Sequence, residues 1–178
     1  MKRSLLLGFC LFSLTLAAPT SSKQTYYLWE YDFEWDSCLS YASTNSFGYP
    51  SRLECLNSMD SEFNGCVGPS NGTEGEKYAK LTPNKGAKPY IRGLGYQCAD
   101  ATCPKGFACE DGMHFGSCCN VHYRKLNDEG LSEKCPDGSE APKIDGLVQV
   151  ARDCKNLKCG NGQKCVVVNE YFVKCCKA

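Results

Sequence analysis

Histidine is almost missing from this chain: the 178 residues contain two, His114 and His122. Neither has a serine or aspartate spaced to form a triad with it. Both read as solvated side chains, one in an expected hairpin turn and one in the polar stretch "NVHYRKLNDEGLSEK" (120 to 134). Cys-x2-Cys pairs are also missing, so the abundant sulfur is not spaced for zinc. An excess of one charge is lacking too. Twenty basic residues stand against 20 acidic ones, which removes any bulk attraction to nucleic acid or an anionic surface. Beyond residue 16 no apolar run approaches the ~20 residues of a membrane span. "GNG" (160 to 162) lies between two cysteines and opens no helix, so it is a turn and not a phosphate loop. Together these absences predict a non-enzymatic protein: no catalytic residues, no metal, no cofactor, and no nucleic-acid or membrane partner.

What the sequence has in quantity is cysteine, 15 in all. The N-terminus carries Lys2 and Arg3, the apolar stretch "LLLGFCLFSLTL" (5 to 16) and then small residues, the pattern of a secretory leader. Thr15 and Ala17 fit the −3 and −1 positions, and Pro19 disfavours cutting after Ala18, so cleavage is expected after Ala17. Cys10 leaves with the leader, and Lys2 and Arg3 leave too, making the mature chain slightly acidic. The fourteen remaining cysteines, an even number in an oxidising compartment, read as seven disulfides. The expected location is secreted and extracellular. Such density favours several small stapled modules, each with little core of its own.

The cysteines repeat. "CADATCPKGFACEDGMHFGSCC" (98 to 119) and "CKNLKCGNGQKCVVVNEYFVKCC" (154 to 176) both follow C-x4-C-x5-C-x8/9-C-C. Each unit has one outlying cysteine upstream, Cys66 or Cys135, making six and six. The first unit thus holds Cys66, Cys98, Cys103, Cys109, Cys118 and Cys119; the second holds Cys135, Cys154, Cys159, Cys165, Cys175 and Cys176. Adjacent Cα atoms are ~3.8 Å apart, closer than the ~4.4–6.8 Å of a disulfide. Neither doublet therefore bridges itself. A turn signal precedes each doublet, "EDG" (110 to 112) or "NEY" (169 to 171), which predicts a β-hairpin stapled under a looped N-terminal arm. The pairing within each unit stays open among about 15 connectivities.

With "CPKGFAC" (103 to 109) and "CGNGQKC" (159 to 165), the two units resemble the lustrin-type cysteine-rich repeat, and more loosely the whey-acidic-protein module, which has two further cysteines. The second unit lacks the proline of the motif. The resemblance covers residues 66 to 176 and implies an extracellular structural or interaction module without an active site.

Outside the two units only Cys38 and Cys55 remain, and parity pairs them. Before Cys38, "YYLWEYDFEW" alternates Tyr27, Trp29, Tyr31 and Phe33 with Leu28, Glu30 and Asp32, the period of a strand with one aromatic face buried. "CLSYAS" (38 to 43) is its expected partner. Ser51-x-x-Glu54 is a capping box that opens a short helix carrying Cys55. Tyr31-Asp32 ahead of Cys38, Tyr41 after it, Asn45 and Phe47, and Ser51 to Cys55 together resemble the Kunitz inhibitor domain over residues 26 to 59. Two extra residues separate Phe47 from Ser51. The segment before the first strand has no cysteine, none follows Tyr41 in "ASTN" (42 to 45), and Met59 stands where the family has its last one. In that family the missing positions pair with one another, so the resemblance implies a truncated module that has lost its inhibitory loop and kept one bridge. Met59 would fill the gap as an adaptable apolar group.

The expected fold class is therefore small, disulfide-rich and α+β: a truncated Kunitz-like hairpin plus helix (18–62), cysteine-rich repeat 1 with a long loop (63–119), a polar linker (120–134) and repeat 2 (135–178), after the leader (1–17). The long insertion from Val67 to Gln97 reads as an exposed loop with a glycosylation sequon at Asn71 and the basic residues Lys77, Lys80, Lys85, Lys88 and Arg92. The combined resemblance, to secreted and cuticle-associated proteins of nematodes, implies support of an extracellular matrix during its formation or moulting. The expected partners are matrix proteins or secreted serine proteases. The alternative expectation is a serine-protease inhibitor acting through a non-standard loop, around Lys105 or Met113.

Overall fold

The structure is a computed structural model, described for residues 24–59, 65–70, 77–90, 95–112 and 115–178. The leader, Asn71, Arg92, Met113 and His114 lie outside the described residues. Seven disulfides join short strands and a few helices into a small α+β protein.

The chain begins with an antiparallel hairpin of β1 (Tyr26–Asp32) and β2 (Ser37–Ser43), in register from Tyr26↔Ser43 to Asp32↔Ser37. Helix α1 (Arg52–Asn57) follows, with the Ser51 hydroxyl accepting from the Glu54 N–H at 3.1 Å. Cys38 and Cys55 are joined, tying β2 to α1. The aromatic alternation of β1 does not bury a single face. Leu28 and Trp29 are both buried, Tyr27 is exposed, and Phe33, just beyond the strand, is 68% exposed. The hairpin is covered from both sides, which is why alternation fails. Trp29 packs into the main core, while the chain at Gly48 closes over Leu28 and Tyr49 bonds back to Trp29.

The first cysteine-rich unit contains β3 (Tyr78–Ala79), β4 (Thr82–Pro83), β5 (Ala101–Thr102), β6 (Phe107–Asp111) and β7 (Gly116–Asn120). Strands β6 and β7 form a hairpin, with β3 on the far side of β7, and β4 pairs with β5. The second unit contains β8 (Lys143–Ile144), β9 (Leu147–Val148), β10 (Val150–Ala151), β11 (Gln163–Val167) and β12 (Val173–Lys177), with β11 and β12 as its hairpin. Both units use the same connectivity: first cysteine to sixth (Cys66–Cys119, Cys135–Cys176), second to fourth (Cys98–Cys109, Cys154–Cys165) and third to fifth (Cys103–Cys118, Cys159–Cys175). Each doublet thus ties the last strand of its hairpin to two separate points.

Two further sequence expectations need correction. The stretch 120–134, read as a polar linker, contains an 11-residue helix, α2 (Val121–Leu131). Asn120 caps it by accepting from the His122 N–H at 2.9 Å. Its inner face carries Tyr123, Leu126, Asn127, Gly130 and Leu131 at helical spacing. Glycine and asparagine among those inward positions keep the composition polar and conceal the period. The helix also approaches its neighbours closely. A Cβ on Gly68, whose φ is +136°, would fall 2.7 Å from the Tyr123 ring.

The second correction concerns the cores. The N-terminal hairpin and the second unit, expected as modules with little core each, share one sheet and a common core cluster. The five-stranded order is β1-β2-β10-β12-β11, so the N-terminal hairpin continues the sheet of the second unit through a parallel bridge between Ala151 and Ser40. Trp35, in the turn of the first hairpin, is 0% exposed. Its ring lies 4.8 Å from that of Tyr171 and 4.9 Å from that of Phe172, both in the turn of the last hairpin. Leu126 and Tyr123 of α2, Val150 of β10 and Val67 of the first unit pack into the same cluster. Burying aromatics of this size contributes roughly 2–3 kcal/mol each.

Candidate functional site

The residues singled out by sequence lie apart. Lys105 is exposed in a tight turn closed by the Phe107 N–H to the Pro104 carbonyl at 3.1 Å, with Gly106 at φ +90°. The turn lies between Cys103 and Cys109, bridged to Cys118 and Cys98, so it is clamped at both ends. The second unit repeats the geometry at Gly160–Gln163, without a lysine at the tip. His122 is exposed at the start of α2, its Nε2 4.0 Å from a Glu170 carboxylate oxygen. Among the described residues, no three His, Cys, Asp or Glu side chains gather as a metal-ion set, and no helix is long and apolar enough to cross a membrane.

The basic residues described in the long loop differ in setting. Lys80, Lys85 and Lys88 are exposed. Lys77 is half-buried with its ammonium 5.6 Å from the Tyr78 ring centre. Burial holds its pKa below the usual lysine range, while the nearby carboxylates of Glu34 and Asp32 pull the other way.

Those carboxylates line a groove of about 370 Å³ on the outer face of the first hairpin. Glu30, Phe33 and Tyr41 form its open wall, and Arg152, contributed by the second unit, closes one end. The Arg152 guanidinium donates to Asp32 at 2.9 Å and to Glu34 at 2.7 Å, and lies 5.4 Å from the Trp35 ring centre. Burial works to raise the Glu34 carboxyl, but the Ser70 backbone N–H and Arg152 more than offset it and hold the group below its ordinary range. Glu30 makes no ion pair among the described residues, so the groove keeps a negative charge beside aromatic rings. Its influence is felt by Tyr41, whose phenol is raised by burial and by the Glu30 charge.

Two buried cations, which the sequence does not mark, tie the second unit to its neighbours, Arg52 to the first hairpin and its helix and Lys174 to the end of α2. Arg52 on α1 donates to the Val148 carbonyl at 2.7 Å and to the Ser37 hydroxyl at 3.0 Å. Lys174 on β12 donates to the carbonyls of Glu129, Ser132 and Lys134 and to the Ser132 hydroxyl, at 2.8 to 3.1 Å. It thereby satisfies carbonyls at the C-terminal end of α2. Neither residue stands out locally: Arg52 follows a helix cap and Lys174 sits in a strand next to a cysteine doublet. Only the tertiary fold makes them interior.

No family model, curated protein or solved structure matches the chain. The functional reading therefore rests on its own residues.

Proposed function

We propose that this is a secreted, non-enzymatic protein that supports an extracellular matrix of the cuticle type, during its formation or moulting. In this reading the N-terminal hairpin and helix are a Kunitz-like module without its own inhibitory loop, followed by two lustrin-like repeats. The observation that carries the reading is the commitment of the hairpin to internal packing. Strand β2 is joined to β10, Arg52 reaches Val148, and Arg152 returns to Asp32 and Glu34. A module absorbed in this way serves as a wall of a rigid body and not as a projecting inhibitor. What it leaves open is the groove of Glu30, Phe33 and Tyr41, suited to a basic side chain on a matrix protein.

One observation favours the rival, a serine-protease inhibitor. The Lys105 turn is held by a disulfide on either side, which is the pre-organisation that lowers the entropic cost of binding. The test is titration of the refolded protein against trypsin-like and subtilisin-like enzymes, beside co-sedimentation with insoluble cuticle-type matrix. The matrix reading expects no stoichiometric inhibition and a co-sedimentation weakened by Glu30→Gln with Phe33→Ala. A low-nanomolar block abolished by Lys105→Ala would transfer the function to the rival.

A further inference from the structure

Arg52 is 7% exposed, yet among the described residues nothing of opposite charge meets it. Its two hydrogen-bonded partners, the Val148 carbonyl and the Ser37 hydroxyl, are neutral, and its Nε has no partner among the described residues. Among the described residues no carboxylate comes within ion-pair distance of the guanidinium. Lys174, 0% exposed, brings a second positive charge into the same interior, and it too donates only to uncharged oxygens. Burial lowers the Arg52 guanidinium to about 10, which leaves it charged at neutral pH. A buried charge is costly unless an opposite charge answers it.

Arg52 also lines a cavity of about 200 Å³, separate from the hairpin groove. The cavity lies between the hairpin and the second unit. Its apolar walls include Trp29 and Leu157, both buried, and the exposed Tyr27 and Ile144. Lys158 stands exposed at the rim, and among the described residues Asp145 is the one carboxylate lining the cavity. Asp145 pairs with neither Lys158 nor Arg52 among the described residues. Arg52 and Lys158 against Asp145 leave the lining with one net positive charge beside its apolar walls.

We propose that this cavity binds a carboxylate borne on an apolar or aromatic group, with Arg52 as the buried counter-charge and Lys158 as the contact at the rim. The apolar portion lies between Trp29 and Leu157, where burial supplies affinity, and the carboxylate supplies orientation. A charge-assisted contact to an arginine in a dry site is stronger than a neutral one, so an amide of the same shape is a poor substitute. The carboxylate has two possible sources, the C-terminus of a partner protein or a free small acid. The inference does not depend on the matrix reading.

The experiment uses the full refolded protein and follows quenching of tryptophan fluorescence, since Trp29 is one of only two tryptophans. The probes are benzoate, a short peptide ending in a free phenylalanine carboxylate, and the same peptide amidated. Saturable binding of the free acids is expected, weakened about tenfold by amidation and by Lys158→Ala, the loss of one charge-assisted contact. Lys158 is exposed, so its removal leaves the fold intact; Arg52→Gln, where it folds, should abolish binding. Tighter binding of the peptide than of benzoate assigns the carboxylate to a partner's C-terminus, and the reverse assigns it to a small acid. Equal binding of acid and amide, indifference to Lys158→Ala, or no saturation by any probe up to about 10 mM would overturn the proposal.

Discussion

Gly130 of α2 lies directly against the buried ring of Phe172: a Cβ added to the glycine would fall 2.3 Å from the ring's Cγ and 2.4 Å from a Cδ. Helix and last hairpin therefore meet backbone to ring, and only glycine fits between them. In an exposed helix, replacing glycine by alanine stabilises by about 1 kcal/mol. Here Gly130→Ala should do the reverse and destabilise by roughly 1–3 kcal/mol, the cost of overpacking a closed core. Denaturant unfolding measures it. A second change, Phe172→Leu, should recover part of the loss in the double variant relative to the sum of the singles. A neutral or stabilising Gly130→Ala would mean that the helix does not dock on Phe172.

Lys174 makes a pH prediction with a definite sign. Burial, joined by the Arg52 charge, lowers its pKa to about 8 from 10.5. The groups facing it are the carbonyls of Glu129, Ser132 and Lys134, the Ser132 hydroxyl and the Arg52 guanidinium. Below about 8 the lysine is protonated in both folded and unfolded chains and contributes no slope. Between about 8 and 10.5 the unfolded chain binds the additional proton, so stability rises with pH, by at most about 1.4 kcal/mol per pH unit. The wild type should gain stability over that window relative to Lys174→Met. A difference between the two proteins that stays flat from pH 7 to pH 10.5, or falls, would show that the ammonium is not penalised.

The contrast between what the sequence displayed and what it concealed has physical causes. The duplication was visible because disulfide geometry constrains spacing: two units with the same intervals build hairpins of the same length and close them in the same way. The capping box at Ser51 was visible because its two residues are three apart and act locally. Trp35 was not, since its partners Tyr171 and Phe172 lie at the other end of the chain, and nothing in "FEWDS" distinguishes a turn that points inward. Helix α2 was missed because its buried face relies on Gly130 and Asn127, small and polar residues that fit a close contact but dilute the apolar period. Arg52 and Lys174 look like surface residues by composition. The sheet that joins the hairpin to the second unit rests on one bridged pair, Ala151 with Ser40, which no local pattern announces.

That joint sheet makes the Cys38–Cys55 bridge more than a local staple. Both cysteines are fully buried within the shared cluster, and the bridge closes a loop of 17 residues' separation. Removing it as the Cys38→Ala/Cys55→Ala pair should cost about 3 kcal/mol through the freed unfolded chain, with a further loss from the space left behind. The informative quantity is where the loosening spreads. Strand β2 is hydrogen-bonded to β10, and β10 to β12, so amide exchange at Val150 and Ala151 should accelerate together with that of the hairpin. The β6–β7 hairpin belongs to a different sheet and keeps its own bridges, Cys98–Cys109 and Cys103–Cys118, so its protection should hold. If protection at Val150 and Ala151 survives while β1 and β2 open, the hairpin and the second unit are independent bodies, and the shared core around Trp35 contributes little to holding them together.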